Sequence, residues 1–147
     1  MTLPLLIDDH LLARHLTATP PRELARSRRP IATTGLWYHR LARAVAASPV
    51  GGTLSREVGD RSGLLGERLA STLTRLPENI EVVSLRHLAQ PMAQLVASGH
   101  RRNLLCLEVL AAAQYLGADI WLSAANNAGP LLESANELGI RVRVLEQ

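Results

Sequence analysis

Four short segments of the chain have the apolar and β-branched character of buried strands. They comprise residues 3–7, 80–84, 120–123 and 140–145. Continuous apolar runs of this length, bounded by turn residues, are typical of strands that are covered on both faces. The pattern therefore predicts a sheet of about four strands.

Between these segments, apolar residues recur at the three- and four-residue spacing of amphipathic helices. The predicted helices comprise residues 8–16, a segment capped by Thr33 or Thr34, and residues 63–76, 85–98, 104–116 and 131–138. In the second of these, the spacing places Trp37, Leu41, Ala44 and Val45 on one face. Residues 18–30 and 48–62 are predicted loops, the first with one helical turn at most.

Strands separated by helices predict a single three-layer α/β domain over residues 1–147, with a parallel sheet and about six flanking helices. In such folds, ligands bind outside the carboxyl ends of the strands. Asp8 and Asp9, in the stretch LLIDDHLLARHL, follow the first predicted strand, and the loop SAANNAGP follows the third. The sequence therefore predicts a polar site where these two segments meet.

Composition narrows the protein class. The chain has 147 residues, 47% of them hydrophobic and 20% charged, which is typical of a globular domain. With Cys106 as the single cysteine, neither an intrachain disulfide nor a cysteine zinc cage can form. The amino terminus lacks a positively charged leader, and Glu108 and Asp119 interrupt the most apolar window. We expect a cytoplasmic protein without a membrane span.

Several familiar motifs are excluded by missing residues. The opening LIDDH resembles the start of receiver domains, but those domains require a lysine and this chain has none. A Walker-type phosphate loop and a GxSxG nucleophile elbow are also absent. The five histidines show no HxxxH or HxH spacing that would indicate zinc.

Two longer stretches carry a resemblance to a known family. The first is LLIDDHLLARHL, and the second is NLLCLEVLAAAQYLGADIWLSAANN followed by LLESANELGIRVRVL. Together they resemble the PIN-domain family, whose best-known members are toxin ribonucleases of bacterial toxin–antitoxin pairs. That family has an acid after its first strand, an acid on an alanine-rich helix and a Thr-x-Asp motif after a later strand.

The resemblance implies which residues form the site. Asp8 matches the first acid and Glu108 the helix acid, so these two are the implied catalytic residues. The implied ligands of Mg²⁺ or Mn²⁺ are Asp8, Glu108 and Asn126. Ser123 stands for the motif threonine, Ala125, Asn126 or Asn127 for its aspartate, and Tyr38 for the family's second acid. Asp9, Ser123, Asn127 and Tyr38 are thus implied supporting residues, and with half the carboxylates missing, cation affinity should be weak.

The acids also have structural alternatives. Either Asp8 or Asp9 can cap the helix that follows, because acids are favoured at helix amino termini. We expect Asp8 to point into the cleft and Asp9 to cap or support it. Glu108, on an apolar helix face, needs a partner: either a polar site shared with Asp8, or an ion pair with Arg101 or Arg102.

Three functional hypotheses follow. The first is a PIN-like domain with little or no nuclease activity, which binds nucleic acid or a protein partner. The second is an active Mg²⁺-dependent ribonuclease of toxin type, and the third is an unrelated α/β interaction module. The expected partners are single-stranded RNA, an antitoxin-like protein and a second copy of the chain in a homodimer. The net charge of +3 and the arginine clusters PRELARSRRP and HRR either steer RNA or form solvated surface.

Overall fold

Strands and helices alternate along residues 2–47 and 64–145, the residues that this computed structural model describes. The strands are β1 (Leu5–Ile7), β2 (Ile31–Thr34), β3 (Ile80–Val83), β4 (Asp119–Ser123) and β5 (Val142–Leu145). The helices are α1 (Asp9–Leu16), α2 (Arg22–Arg26), α3 (Gly35–Ala47), α4 (Leu64–Thr74), α5 (Leu85–Ala97), α6 (Leu104–Leu116) and α7 (Gly129–Glu137). A 3₁₀ turn, Ala124–Asn126, follows β4. The loop predicted for 48–62 lies outside the described residues.

All strand pairs in the sheet are parallel, and the strand order is β3-β2-β1-β4-β5. The chain steps outward from β1 through β2 to β3, then returns to place β4 on the other side of β1. The strand order therefore reverses between β1 and β4, and in open α/β sheets ligands bind at such a reversal. The predicted three-layer α/β fold with a parallel sheet is confirmed.

The prediction of about four strands missed β2. Its four residues, Ile31–Thr34, run directly into α3, so no turn residues mark its end. Thr34 serves both elements, since its Oγ1 accepts a hydrogen bond from the Trp37 amide at 3.2 Å, as a helix cap does. The cap was predicted correctly, but the strand that precedes it was not recognised.

The sheet separates two apolar clusters because successive side chains of a strand point to opposite faces. Leu5 and Ile7 of β1 pack with α1, α3 and α4, whereas Leu6 packs with α5, α6 and α7. α5 continues through Pro91 as one helix. None of the helices in the described ranges is long and apolar enough to span a membrane.

Candidate functional site

Asp8 lies at the carboxyl end of β1, at the point where the strand order reverses. Its side chain is fully buried, and both of its oxygens accept hydrogen bonds. Oδ1 accepts from the Leu11 amide at 2.8 Å, so Asp8 is the amino-terminal cap of α1. Oδ2 accepts from the amide and the hydroxyl of Ser123 at 2.8 and 2.7 Å. Of the two aspartates expected as possible caps, Asp8 is the one that caps, because it precedes the first helical turn; a supporting role is what remains of the expectation for Asp9.

Asn126 joins the two aspartates. Its Nδ2 donates to Asp8 Oδ2 at 2.8 Å and to Asp9 Oδ1 at 2.7 Å. The amide nitrogen therefore faces both acids and the amide oxygen points away from them, as suits carboxylate oxygens that accept. We call Asp8, Asp9, Ser123 and Asn126 the acid–amide network. The structure thus selects Asn126 from the three residues that the sequence left open.

Asp9 is also buried, but it is less completely satisfied. Its Oδ1 accepts a second hydrogen bond from the His10 amide at 3.0 Å. Arg40 Nε lies 3.3 Å from Oδ2, which is ion-pair distance without hydrogen-bond geometry. Burial raises the pKa of the Asp9 carboxyl, and the charge of Asp8 raises it further, whereas Arg40 and Asn126 lower it. Burial and the charge of Asp8 therefore outweigh Arg40 and Asn126, and the ionised form of Asp9 is disfavoured.

Glu108 has a structural role at the start of another helix. Its Oε1 accepts a hydrogen bond from the Leu36 amide at 3.0 Å, in the first turn of α3. A carboxylate is favoured there, because the first amides of a helix lack internal partners and the helix dipole attracts negative charge. Within residues 2–47 and 64–145, Glu108 Oε2 has no hydrogen-bond partner although the side chain is fully buried.

The expected partners of Glu108 pair elsewhere. Arg102 donates from Nε to Ser134 Oγ at 2.8 Å and lies 3.6 Å from Glu133, so it forms no ion pair with Glu108. Arg101 is exposed. Since β1 and β2 are adjacent, Glu108 lies at the same edge of the sheet as Asp8, but no described contact joins the two acids. A site shared by Asp8 and Glu108 stays a prediction.

Two supporting residues lie outside the acid–amide network. The hydroxyl of Tyr38 donates to the carbonyl of Leu73 in α4, and the Tyr38 ring packs in the cluster on that face of the sheet. The described contacts of Tyr38 are thus with α4 and not with the acid–amide network, and its supporting role stays a prediction. Asn127 is exposed and ends the 3₁₀ turn.

A groove of about 200 Å³ lies beside Asn126, between the first turn of α6 and the segment that joins β4 to α7. Its polar lining residues are Trp37, Arg102, Asn103, Cys106 and Asn126, and among the described residues no aspartate or glutamate lines it. Burial raises the pKa of the Cys106 thiol, and Arg102 acts in the opposite direction. The acids face into the protein, whereas the groove presents amides, a thiol and a guanidinium.

The described donor set does not fit a magnesium centre as it stands. Mg²⁺ requires several oxygen ligands in near-octahedral geometry. Both oxygens of Asp8 already accept hydrogen bonds, and Asn126 presents nitrogen to the acids. Over the described ranges, no group of three or more histidine, cysteine or acidic side chains is arranged to hold a metal ion. No reaction step is therefore derived through a metal.

Sequence reasoning missed the roles of Arg40, Trp37 and the Leu36 amide. Arg40 and Trp37 lie on the same helix as Tyr38, but no motif distinguishes them from other helical residues. The apolar surroundings of Glu108 did indicate that the carboxylate needs a partner; the backbone amide that meets it could not be found without the fold. No protein-family model matches the chain, and no curated protein matches it.

Proposed function

We propose that this protein is a PIN-like binding domain that holds single-stranded RNA at the carboxyl edge of its sheet without metal-dependent cleavage. The observation that supports this most directly is the groove beside Asn126, which lies near the strand reversal and, within residues 2–47 and 64–145, has no acidic lining residue. A phosphodiester chain is anionic and would be repelled from a groove lined by unpaired carboxylates. Here the aspartates are covered by Ser123 and Asn126.

Charge on this edge suits an anionic partner. Arg102 is the charged residue that lines the groove, and its exposed neighbour Arg101 adds a second guanidinium. Guanidinium groups form strong charge-assisted hydrogen bonds with phosphate. The net charge of +3 favours the same class of partner over an acidic one.

One specific observation favours the ribonuclease alternative. Among the described residues, Asp9 Oδ2 and Glu108 Oε2 are buried carboxylate oxygens without hydrogen bonds. Buried acceptors of this kind are uncommon and a cation could satisfy them. The ribonuclease is therefore the second candidate function, and a domain that binds only another protein is the third.

Fluorescence anisotropy with a labelled single-stranded RNA tests the proposal. We expect binding in the presence of EDTA, weakening steeply as salt rises because phosphate contacts release counterions. Arg102→Gln should weaken binding by about tenfold, the value of one charge-assisted contact of ~1.4 kcal/mol. Arg28→Gln is the matched control, since Arg28 is exposed and precedes β2 at the opposite end of that strand.

The same samples distinguish the alternatives. Cleavage of the RNA that appears with Mn²⁺ and disappears in Asp9→Asn would establish the nuclease. Equal losses in Arg102→Gln and Arg28→Gln would place the RNA away from the groove. An absence of RNA binding even at low salt would leave a protein partner as the remaining function.

A further inference from the structure

The groove beside Asn126 contains a buried donor that the protein itself leaves unused. Trp37 lines the groove and is 1% exposed, and its indole Nε1 has no hydrogen-bond partner in the described part of the chain. A buried N–H that lacks a partner destabilises the folded protein, because it has lost its hydrogen bonds to water. A ligand acceptor within the groove would remove that cost.

Asn126 supplies an acceptor to the same groove. The two N–H groups of its Nδ2 donate to Asp8 and to Asp9, so its amide oxygen points away from the acids. Asn126 also lines the groove. Asp8 and Asp9 are therefore positioning residues: they fix which end of the amide a ligand meets.

The groove is small, and most of its other lining residues are apolar, although Arg102, Asn103 and Cys106 add polar groups. Leu105, Val109 and Leu131 contribute to its walls. A volume of about 200 Å³ is below the roughly 300–1,000 Å³ of pockets that hold drug-sized ligands. Such a space suits one flat ring with polar atoms on its edge.

We propose that this groove holds one unstacked uracil base of single-stranded RNA, with the Trp37 indole N–H donating to a base carbonyl and the Asn126 amide oxygen accepting from the ring N–H. This inference rests on the proposed RNA-binding function. Single-stranded RNA is commonly recognised through the hydrogen-bonding edges of splayed bases. With the O4 carbonyl at the indole N–H and the N3–H at the Asn126 oxygen, cytosine mismatches both groups, because it carries an amino donor in place of O4 and its N3 has no proton.

Entry of the base requires a small adjustment. Trp37 is almost fully covered, and Leu105 and Cys106, which are half-buried, also border the groove. Rotation of these two side chains would uncover the indole edge. Rotamer changes of this size at binding sites are common.

The test uses the two tryptophans of the chain as internal reporters. In a ¹H–¹⁵N spectrum, hexauridylate should shift the indole signal of Trp37 and leave that of Trp121 in place. Trp121 packs in the other cluster beneath Arg143, so it serves as the reference. The wild-type protein should bind hexauridylate about tenfold more tightly than hexacytidylate.

Two matched tryptophan variants test whether the Trp37 indole N–H contributes to hexauridylate binding. Trp37→Phe removes the N–H and should weaken hexauridylate binding about tenfold, whereas Trp121→Phe should bind as the wild type does. The wild-type spectrum and the uridine-to-cytidine ratio remain decisive if Trp37→Phe does not fold. Equal affinity for the two oligonucleotides, or binding that leaves the Trp37 signal unmoved, overturns the base pocket but not RNA binding. Failure to bind either one overturns the proposed function as well.

Discussion

Replacing Asn126 by aspartate tests whether its amide takes the place of a cation between two acids. The amide now donates at 2.8 Å to Asp8 and at 2.7 Å to Asp9. An ionised Asn126→Asp side chain would remove both hydrogen bonds and place a third negative charge against two buried carboxylates. At an effective dielectric constant near 20, each like-charge pair at 4 Å costs about 4 kcal/mol.

Proton uptake limits this cost. Keeping one carboxyl protonated at pH 7 costs about 1.36 kcal/mol for each pH unit above its ordinary pKa of about 3.9. Over the roughly three units up to pH 7, this is about 4 kcal/mol. The protonated group donates one hydrogen bond where the amide donated two, which costs about 1.5–3 kcal/mol more. Because Asn126 is half-buried, solvent screening lowers the total. We expect a loss of about 3–5 kcal/mol at pH 7 and about 2 kcal/mol at pH 4.

The pH dependence follows from the direction of the shift. In the variant, the folded-state pKa of the shared carboxyl lies above its unfolded value. Its contribution to stability is therefore present below about pH 3.9 and is lost as pH rises through the folded pKa. Urea unfolding followed by tryptophan fluorescence measures the free energy of unfolding at both pH values.

Asn127→Asp is the matched control, because it makes the same change at the next residue, which is exposed. Surface substitutions of this kind usually alter stability by less than about 0.5 kcal/mol. Equal losses in the two variants, or a loss at position 126 that does not change with pH, would refute the reasoning. Added Mn²⁺ should raise the melting temperature of Asn126→Asp alone, since only that variant has a third carboxylate to bind it.

Three further predictions concern single acids and the metal. Asp9→Asn should gain stability relative to the wild type as pH rises above 3.8, the ordinary pKa of an aspartate, because burial raises the pKa of Asp9 and its ionisation disfavours folding. A free energy of unfolding in urea that changes with pH by the same amount in both proteins would contradict this. Glu108→Ala should lose about 1–3 kcal/mol by leaving the Leu36 amide unpaired, whereas Glu108→Gln, which keeps an acceptor, should lose less in the same urea assay. Calorimetry of the wild type should detect no binding of millimolar Mg²⁺, and heat that is abolished in Asp8→Asn would restore the ribonuclease alternative.

The sequence predicted the layered fold because its strands and helices differ in period and are separated by turns. It failed at β2, where Ile31–Thr34 passes into α3 without a break and two threonines fit both a strand and a cap. Reading the sequence as separate strands and helices assigns each residue to one element, whereas Thr34 both ends β2 and caps α3. The strand order could not be predicted from local patterns, because it depends on β4 pairing with β1, a strand distant in sequence.

The candidate site was predictable in position but not in chemistry. Parallel strands bring their carboxyl ends to one edge, so Asp8 and Ser123 were expected near each other, and they are hydrogen-bonded. The sequence left Ala125, Asn126 and Asn127 as equal choices for the next position. Only the geometry of the 3₁₀ turn selects the residue whose side chain reaches back to the aspartates.

Asp8 and Glu108, the acids at this edge of the sheet, each have a structural role that requires no catalysis. Asp8 caps α1 and Glu108 caps α3, so each satisfies a backbone amide that would otherwise lack a partner. The Leu36 amide that Glu108 accepts from lies next to Trp37 in the first turn of α3. Asp8 and Asp9 orient Asn126. Under the proposed function, carboxylates that would hold a metal in a nuclease instead complete helix amino termini and orient the amide acceptor beside the groove, so the RNA would be bound without being cleaved.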